Sequence, residues 1–238
     1  MRFVTCLCGV QLDAEDAASL SDAYWAHTDQ THGDLKISAA RRQNATDALL
    51  RTGGWDGQRL KLTDAVEVRP LSPAACDDYL HYFDEDAFPD NPAWASCYCA
   101  SYNIDIAPEA FDDRSAAENR ADKAAMIVAG NATGVLARSG GRVVGWCNAG
   151  PRTSFPLLDR YPEFAADDPA TSGAIVCFVI APPYRGQGLA KKLLEGACEM
   201  LRERGLASVY AYPPKHGGTD AGSYHGKLQM YLGAGFAE

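Results

Sequence analysis

The hexapeptide Arg185-Gly186-Gln187-Gly188-Leu189-Ala190 has the composition of an anion cradle. It joins an apolar run, Ala174 to Ile180, to a segment with helical periodicity. Two glycines strip side chains from the turn, so backbone N–H groups can approach a ligand closely. The start of the following helix adds about half a positive charge. A pyrophosphate fits such a nest. Two familiar phosphate motifs are excluded. A Walker loop ends in Gly-Lys-Ser/Thr, which the chain lacks. The dinucleotide fingerprint needs a third glycine where Lys191 stands. A strand–helix turn without a ligand is the other reading of the same residues.

A second group of reactive side chains lies near the start of the chain. Cys6, Cys8, His27 and His32 are the closely spaced soft ligands of residues 1–62. Two thiolates and two imidazoles suit tetrahedral zinc and fill all four positions, which describes a structural site and not a catalytic one. The alternative is buried thiols beside solvent-exposed histidines. Cys97 and Cys99 alternate within Trp94 to Tyr102, as residues on one face of a strand do. Packing, nucleophilic and metal-ligating roles are all open to them.

Arg185 to Ala190 matches, at every fixed position, the Gln/Arg-x-x-Gly-x-Gly/Ala coenzyme A loop of the GNAT (GCN5-related) N-acetyltransferases, which this chain resembles over about residues 65–238. Tyr231-Leu232-Gly233-Ala234-Gly235-Phe236 is similar to the family's Tyr-x-x-x-Gly-Phe ending. Trp94 to Cys99, Gly145-Trp146-Cys147 with Gly150-Pro151-Arg152, and Tyr224-His225-Gly226 resemble one bacterial subgroup. The first 33 residues resemble small metal-binding domains with a Cys-Gly near the start and two spaced histidines before a His-Gly. Cys8-Gly9 and His32-Gly33 match that pattern.

The resemblance implies direct transfer of an acetyl group from acetyl-CoA to a primary amine. Backbone N–H groups near Phe178, Val179 and Ile180, freed by a bulge in the central strand, would hold pantetheine and the developing oxyanion. Arg185, Gly186, Gln187, Gly188, Leu189 and Ala190 would form the coenzyme loop. Lys191 and Lys192 either reach the coenzyme phosphates or stay solvated. Tyr231 is the candidate acid for the departing thiolate, with packing under a final strand as its alternative. The family's usual carboxylate is missing from Gly173 to Ile180. Asp84, Glu85, Asp86 and His225 are the candidate bases, beside a base acting through water. The segment Gly150 to Gly173 and the acidic run at Asp84 are expected to shape the acceptor site. A further strand is implied beyond Phe236, where Ala237 and Glu238 follow. A coenzyme-A-binding regulator without turnover is the runner-up reading.

These residues need elements to position them. Arg2 to Thr5 reads as a strand. A helix is expected to open after Asp13, with Asp16 completing a capping box, and to put Leu20, Ala23, Tyr24 and His27 on one face. A second helix over about 38–52 ends at Gly53-Gly54. Val66 to Val68 is a strand, and Ser72-Pro73 opens a helix to about Phe83. Ser115 and Glu118 form a capping box for a helix ending near Gly130. Thr133 to Ala137 and Arg142 to Asn148 form a hairpin across Ser139-Gly140-Gly141. Ala174 to Ile180 reads as a strand buried on both faces. The helix over 187–204 carries the apolar stripe Leu189, Leu193, Leu194, Ala197 and Leu201. Ser208 to Tyr212 is a strand, and Tyr224 to Leu232 a last helix. The class is α/β or α+β: a GNAT-like mixed central sheet flanked by helices, plus a small N-terminal α+β module. The boundary falls near Lys61 to Asp64, giving parts 1–62 and 63–238. Chemistry is expected to survive in a chain starting near Leu62 unless the first part borders the acceptor pocket.

Composition bounds the rest. The 238 residues are 47% hydrophobic and 22% charged, which excludes a mostly disordered chain. No run approaches the ~18 apolar residues of a membrane span, and Met1 to Val10 lacks a signal-peptide core. A cytoplasmic location and no membrane partner are therefore expected. The net charge of −9 argues against a nucleic-acid partner and suits a cationic small-molecule or peptide amine. Homo-oligomers remain open. Eight cysteines are too dilute for a disulfide scaffold.

Overall fold

The computed structural model describes residues 1–63, 65–215 and 223–238. Asp64, at the edge of the expected boundary, lies outside them. Strands β1 (Arg2–Thr5) and β2 (Gln11–Ala14) form an antiparallel ribbon in which Phe3 pairs with Asp13. Asp13 therefore belongs to a strand, and the expected helix start is corrected. Helix α1 (Ala17–Thr31) opens at Asp16, whose carboxylate accepts from Ser19 N at 2.8 Å. That bond satisfies one of the N–H groups the first turn leaves unpaired. Ser38 does the same for α2 (Ala39–Thr52), which stops at Gly53 as expected. Val4, Cys6, Leu20, Tyr24 and Leu49 close a small core between ribbon and helices.

The main sheet has the order β3 (Glu67–Pro70), β4 (Val135–Ser139), β5 (Arg142–Pro151), β6 (Ser172–Ile180), β7 (Ser208–Ala211). Every pairing is antiparallel except β6 with β7. Helix α6 (Leu189–Glu203) makes the crossover that parallel neighbours require. Its expected stripe is buried throughout against the sheet. The other face is covered by α3 (Cys76–His81) and α5 (Ala116–Val128), the latter with its capping box formed, and α4 (Pro108–Asp112) lies between them in sequence. The mixed sheet, its flanking helices and the small N-terminal ribbon agree with the expected class.

Three local expectations are corrected. The helix from Ser72 is wound in three pitches: a 3-10 turn at Pro73–Ala75, then α3, then a wide turn at Tyr82–Asp86. The wide turn lets Tyr79, Tyr82 and Phe83 all enter the core. Trp94 to Tyr102 is a chain of turns and not a strand. Tyr98 and Cys99 there have φ of 47° and 45°, held by tertiary bonds. Tyr79 Oη donates to the Tyr98 carbonyl at 2.8 Å, and Asn148 Nδ2 donates to the Cys99 carbonyl at 3.2 Å. The last helix, α7, spans only Leu228–Leu232. The carbonyls of Tyr224 and His225 accept from Phe178 N and Tyr231 Oη, so they do not start a helix.

Candidate active site

Pairing of β6 with β7 ends at Ile175. Beyond it, Val176 to Ile180 has no strand on that side among the described residues, and a cleft of about 1160 Å³ opens there. Cys177, Phe178, Val179 and Ile180 form its floor, and Gly186 and Ala190 border one end. The expected bulge lies in β6 itself: Asn148 pairs with Cys177 and Ala149 with Ile175, which leaves Val176 as the extra residue. Phe178 N is not free: it donates to the Tyr224 carbonyl at 2.6 Å.

The loop is built by its glycines. Gly186 and Gly188 have φ of 77° and 78°, which side chains resist, and a Cβ at either would meet open space. Gly188 is the N-cap of α6, and no side chain caps that helix. The N–H groups of Leu189 and Ala190 are therefore available to an anion, while Lys191 N already donates to the Gly188 carbonyl at 3.1 Å. Arg185 lines the cleft with its charge already engaged. Its Nε donates to the Ile180 carbonyl at 2.9 Å and its guanidinium forks onto the buried Asp90. Gln187 turns back on the linker, donating to the Leu60 carbonyl at 2.8 Å and accepting from Leu62 N at 3.1 Å. Lys191 lies 3.9 Å from Glu195, exposed.

Tyr231 is 1% exposed, packed beside Phe178 and Phe236, and donates to the His225 carbonyl at 2.7 Å. Burial pushes its pKa far above the ordinary tyrosine value, so the hydroxyl carries its proton at neutral pH. It stands behind the cleft lining, which here is Tyr224 and Met230. His225 Nε2 lies 3.4 Å from Tyr102 Oη, and Tyr102 does line the cleft. Burial lowers the His225 pKa, which keeps the imidazole neutral and able to accept a proton.

The acidic run does not reach the cleft. Asp84 is held by Arg120 and by Tyr98 Oη at 2.7 Å. Burial would raise its carboxyl, but these bonds prevail and hold it below the usual range. Asp86 pairs with Arg142, and Glu85 lies 3.9 Å from Arg51. Among the described residues the one carboxylate in the cleft wall is Asp90, already taken by Arg185. Of the segment Gly150 to Gly173, Leu157 reaches the cleft. Cys99 and Cys177 also line it, their sulfurs 3.5 Å apart, while Cys97 Sγ contacts Ser101 Oγ at 3.7 Å. The Cys177 contact draws the Cys99 thiol below its ordinary value against the opposing burial.

Cys6, Cys8, His27 and His32 converge, with ligand atoms all within 4.8 Å of one another. Cys6 Sγ lies 3.5 Å from His32 Nε2 and Cys8 Sγ 3.4 Å from His27 Nε2. A tetrahedral zinc with ordinary Zn–S and Zn–N lengths places such atoms about 3.6 Å apart. The donor set fits. Hydrogen bonding from Val10 N, helped by both imidazoles, lowers the Cys8 thiol to about 6. The β1–β2 turn that carries both thiols does not stand apart from the cleft: Phe3, Thr5, Gly9, Gln11 and Trp55 form one of its walls. Spacing gave no sign of this wall, nor of Asp90, which meets Arg185 from 95 residues away.

The model of the Acetyltransferase (GNAT) family matches residues 91–228. A search of curated proteins finds no match. Among solved structures, a GCN5-related N-acetyltransferase from Ralstonia eutropha JMP134 is 16% identical, with 73% of this chain and 94% of that one covered and a TM-score of 0.41. A putative acetyltransferase of Salmonella typhimurium, yncA, solved with its cofactor acetyl-CoA, is 17% identical, with coverage of 73% and 80% and a TM-score of 0.38. The ribosomal-protein-alanine N-acetyltransferase of Brucella melitensis biovar Abortus 2308 is 14% identical, covering 63% and 82%, with a TM-score of 0.38. No helix is long and apolar enough to cross a membrane among the described residues.

Proposed function

Because this chain belongs to the GNAT acetyltransferase family, we propose that its cleft binds acetyl-CoA and passes the acetyl group directly to a primary amine. The observation that carries this reading is the uncapped start of α6 at the end of a cleft floored by the half of β6 that β7 does not reach. The pyrophosphate sits over Gly186, Gln187, Gly188, Leu189 and Ala190, bound by backbone N–H groups. Pantetheine runs along Phe178, Val179 and Ile180. Arg185 contributes by holding the loop in place against Asp90.

The amine enters on the side of Asn91 and Trp94. Asn91 Oδ1 is buried in the cleft wall with no hydrogen-bond partner among the described residues. A buried acceptor left unpaired is costly, and an N–H of the substrate satisfies it. The rings of Trp94, Tyr102 and Tyr224 suit a cation before it loses its proton. That proton passes through Tyr102 to His225. Tyr231 gives its proton to the coenzyme thiolate as the C–S bond breaks, after its hydroxyl turns from the His225 carbonyl. It is reprotonated by the second proton that the nitrogen sheds on becoming an amide.

Cys6, Cys8, His27 and His32 hold a structural metal, zinc by the chemistry of the set. A bound ion ties the β1–β2 turn to the end of α1 and so fixes one wall of the cleft. It takes no part in the transfer.

Thiol release from acetyl-CoA with a panel of mono- and polyamines tests the reading. Amine-dependent release is expected. Tight coenzyme binding without release for any amine would favour a coenzyme-binding regulator.

A further inference from the structure

Arg59 lies outside the residues matched by the family model, yet its side chain lies against the coenzyme loop. Its Nη1 donates to the carbonyls of Pro182 at 3.2 Å and Arg185 at 3.3 Å. A guanidinium has five N–H groups. Two are used in this way, and the three on Nε and Nη2 have no acceptor among the described residues. The cation is stacked 5.0 Å over the ring of Trp55. Trp55 is itself pinned to β1 by two backbone bonds with Phe3, each 2.9 Å, and by ring contact with Phe3. Arg59 and Trp55 both line the cleft together with Gly186 and Ala190.

The charge balance around it is unusual for this chain. Among the described residues every other arginine except Arg204 has a carboxylate within 4.0 Å. Arg185, the arginine of the loop motif, is neutralised by Asp90. In a chain of net charge −9, a cation without a counter-ion beside an uncapped helix start is matched to an anion from outside.

We propose that Arg59, presented on Trp55, binds the coenzyme's pyrophosphate and so supplies the charge that Arg185 does not. The inference rests on the reading of the cleft as a coenzyme site. Two of the free N–H groups form the planar fork that matches phosphate oxygens. The pyrophosphate is the group addressed because Arg59 touches the carbonyl of Arg185, next to Gly186, and that of Pro182 in the turn before it. The residue thus binds coenzyme from a segment that the transferase sequence pattern does not include.

The experiment is a tryptophan-fluorescence titration of the 238-residue chain with coenzyme A, dephospho-coenzyme A and pantetheine. Arg59→Gln is expected to weaken the two nucleotides equally, by about tenfold or more, and to leave pantetheine unchanged. Arg59→Lys is expected to recover part of the loss, and Arg204→Gln to show none. Equal affinity for coenzyme A in folded Arg59→Gln and wild type would overturn the assignment. So would a loss that extends to pantetheine, which marks a loop-bracing role only, or a loss for coenzyme A alone, which places the cation on the 3′-phosphate. Wild-type protein that binds none of the three would reject the coenzyme site itself, an outcome distinct from failure of Arg59 alone.

Discussion

Lys123 is fully buried, and its Nζ donates to Asn103 Oδ1 at 2.9 Å. Burial pulls its ammonium down to about 8 from an ordinary 10.5. The unfolded chain therefore binds this proton more tightly than the folded one. The contribution of Lys123 to stability is therefore least unfavourable above pH 10.5, worsens as pH drops toward 8, and is flat below. The penalty amounts to about 3 kcal/mol. Lys123→Met removes it and loses one hydrogen bond, so urea unfolding at pH 7 should show a gain of about 1–3 kcal/mol, vanishing near pH 11. Tyr231 is tested at the same scale. Its replacement by Phe should lower kcat by about 10²–10⁴-fold with coenzyme affinity unchanged. Wild-type kcat would move the acid role to Tyr224, whose side chain lines the cleft.

The glycine loop and α6 are the element on which binding turns. Gly188→Val places a branched side chain at φ 78° and in the open space above the loop. Coenzyme affinity should fall by at least about tenfold, and an unchanged titration would refute the cradle. This loop and its helix were legible in the sequence because local rules govern them: glycines at the turn, leucines at helical spacing, a buried strand before them. Ser115 with Glu118 and the glycine turn of the hairpin were legible for the same reason. Trp94 to Tyr102 was not. Its alternation suggested a strand, whereas the Tyr79 and Asn148 side chains, both distant in sequence, hold two of its residues in a left-handed conformation. The start of α1 was misplaced because Asp13 and Asp16 are equivalent as caps until pairing of Asp13 with Phe3 decides between them.

On the scale of the whole molecule, the first residues and the transferase sheet share one cleft. A chain beginning near Leu62 would lose the wall built from Phe3, Thr5, Gly9, Gln11 and Trp55. It should bind coenzyme more weakly even when folded. Metal removal should act in the same direction. Chelation, or Cys8→Ser, should lower Tm by at least about 5 °C, because ligand binding to the folded state alone adds stability. Elemental analysis should return near one zinc per chain, and a metal-free protein of unchanged Tm would leave only packing roles for these four side chains.

Gln187 meets the linker at both Leu60 O and Leu62 N. Its amide thereby imitates a neighbouring strand one residue long, and it holds an otherwise exposed run of backbone to the rim of the cleft. Proteases cut chain that can peel away from its surroundings. Any ligand that settles the loop also fastens this run, and one that disturbs it sets the run loose. The rate at which trypsin cleaves after Arg59 or Lys61 is therefore a gauge of cleft occupancy that needs no knowledge of the acceptor.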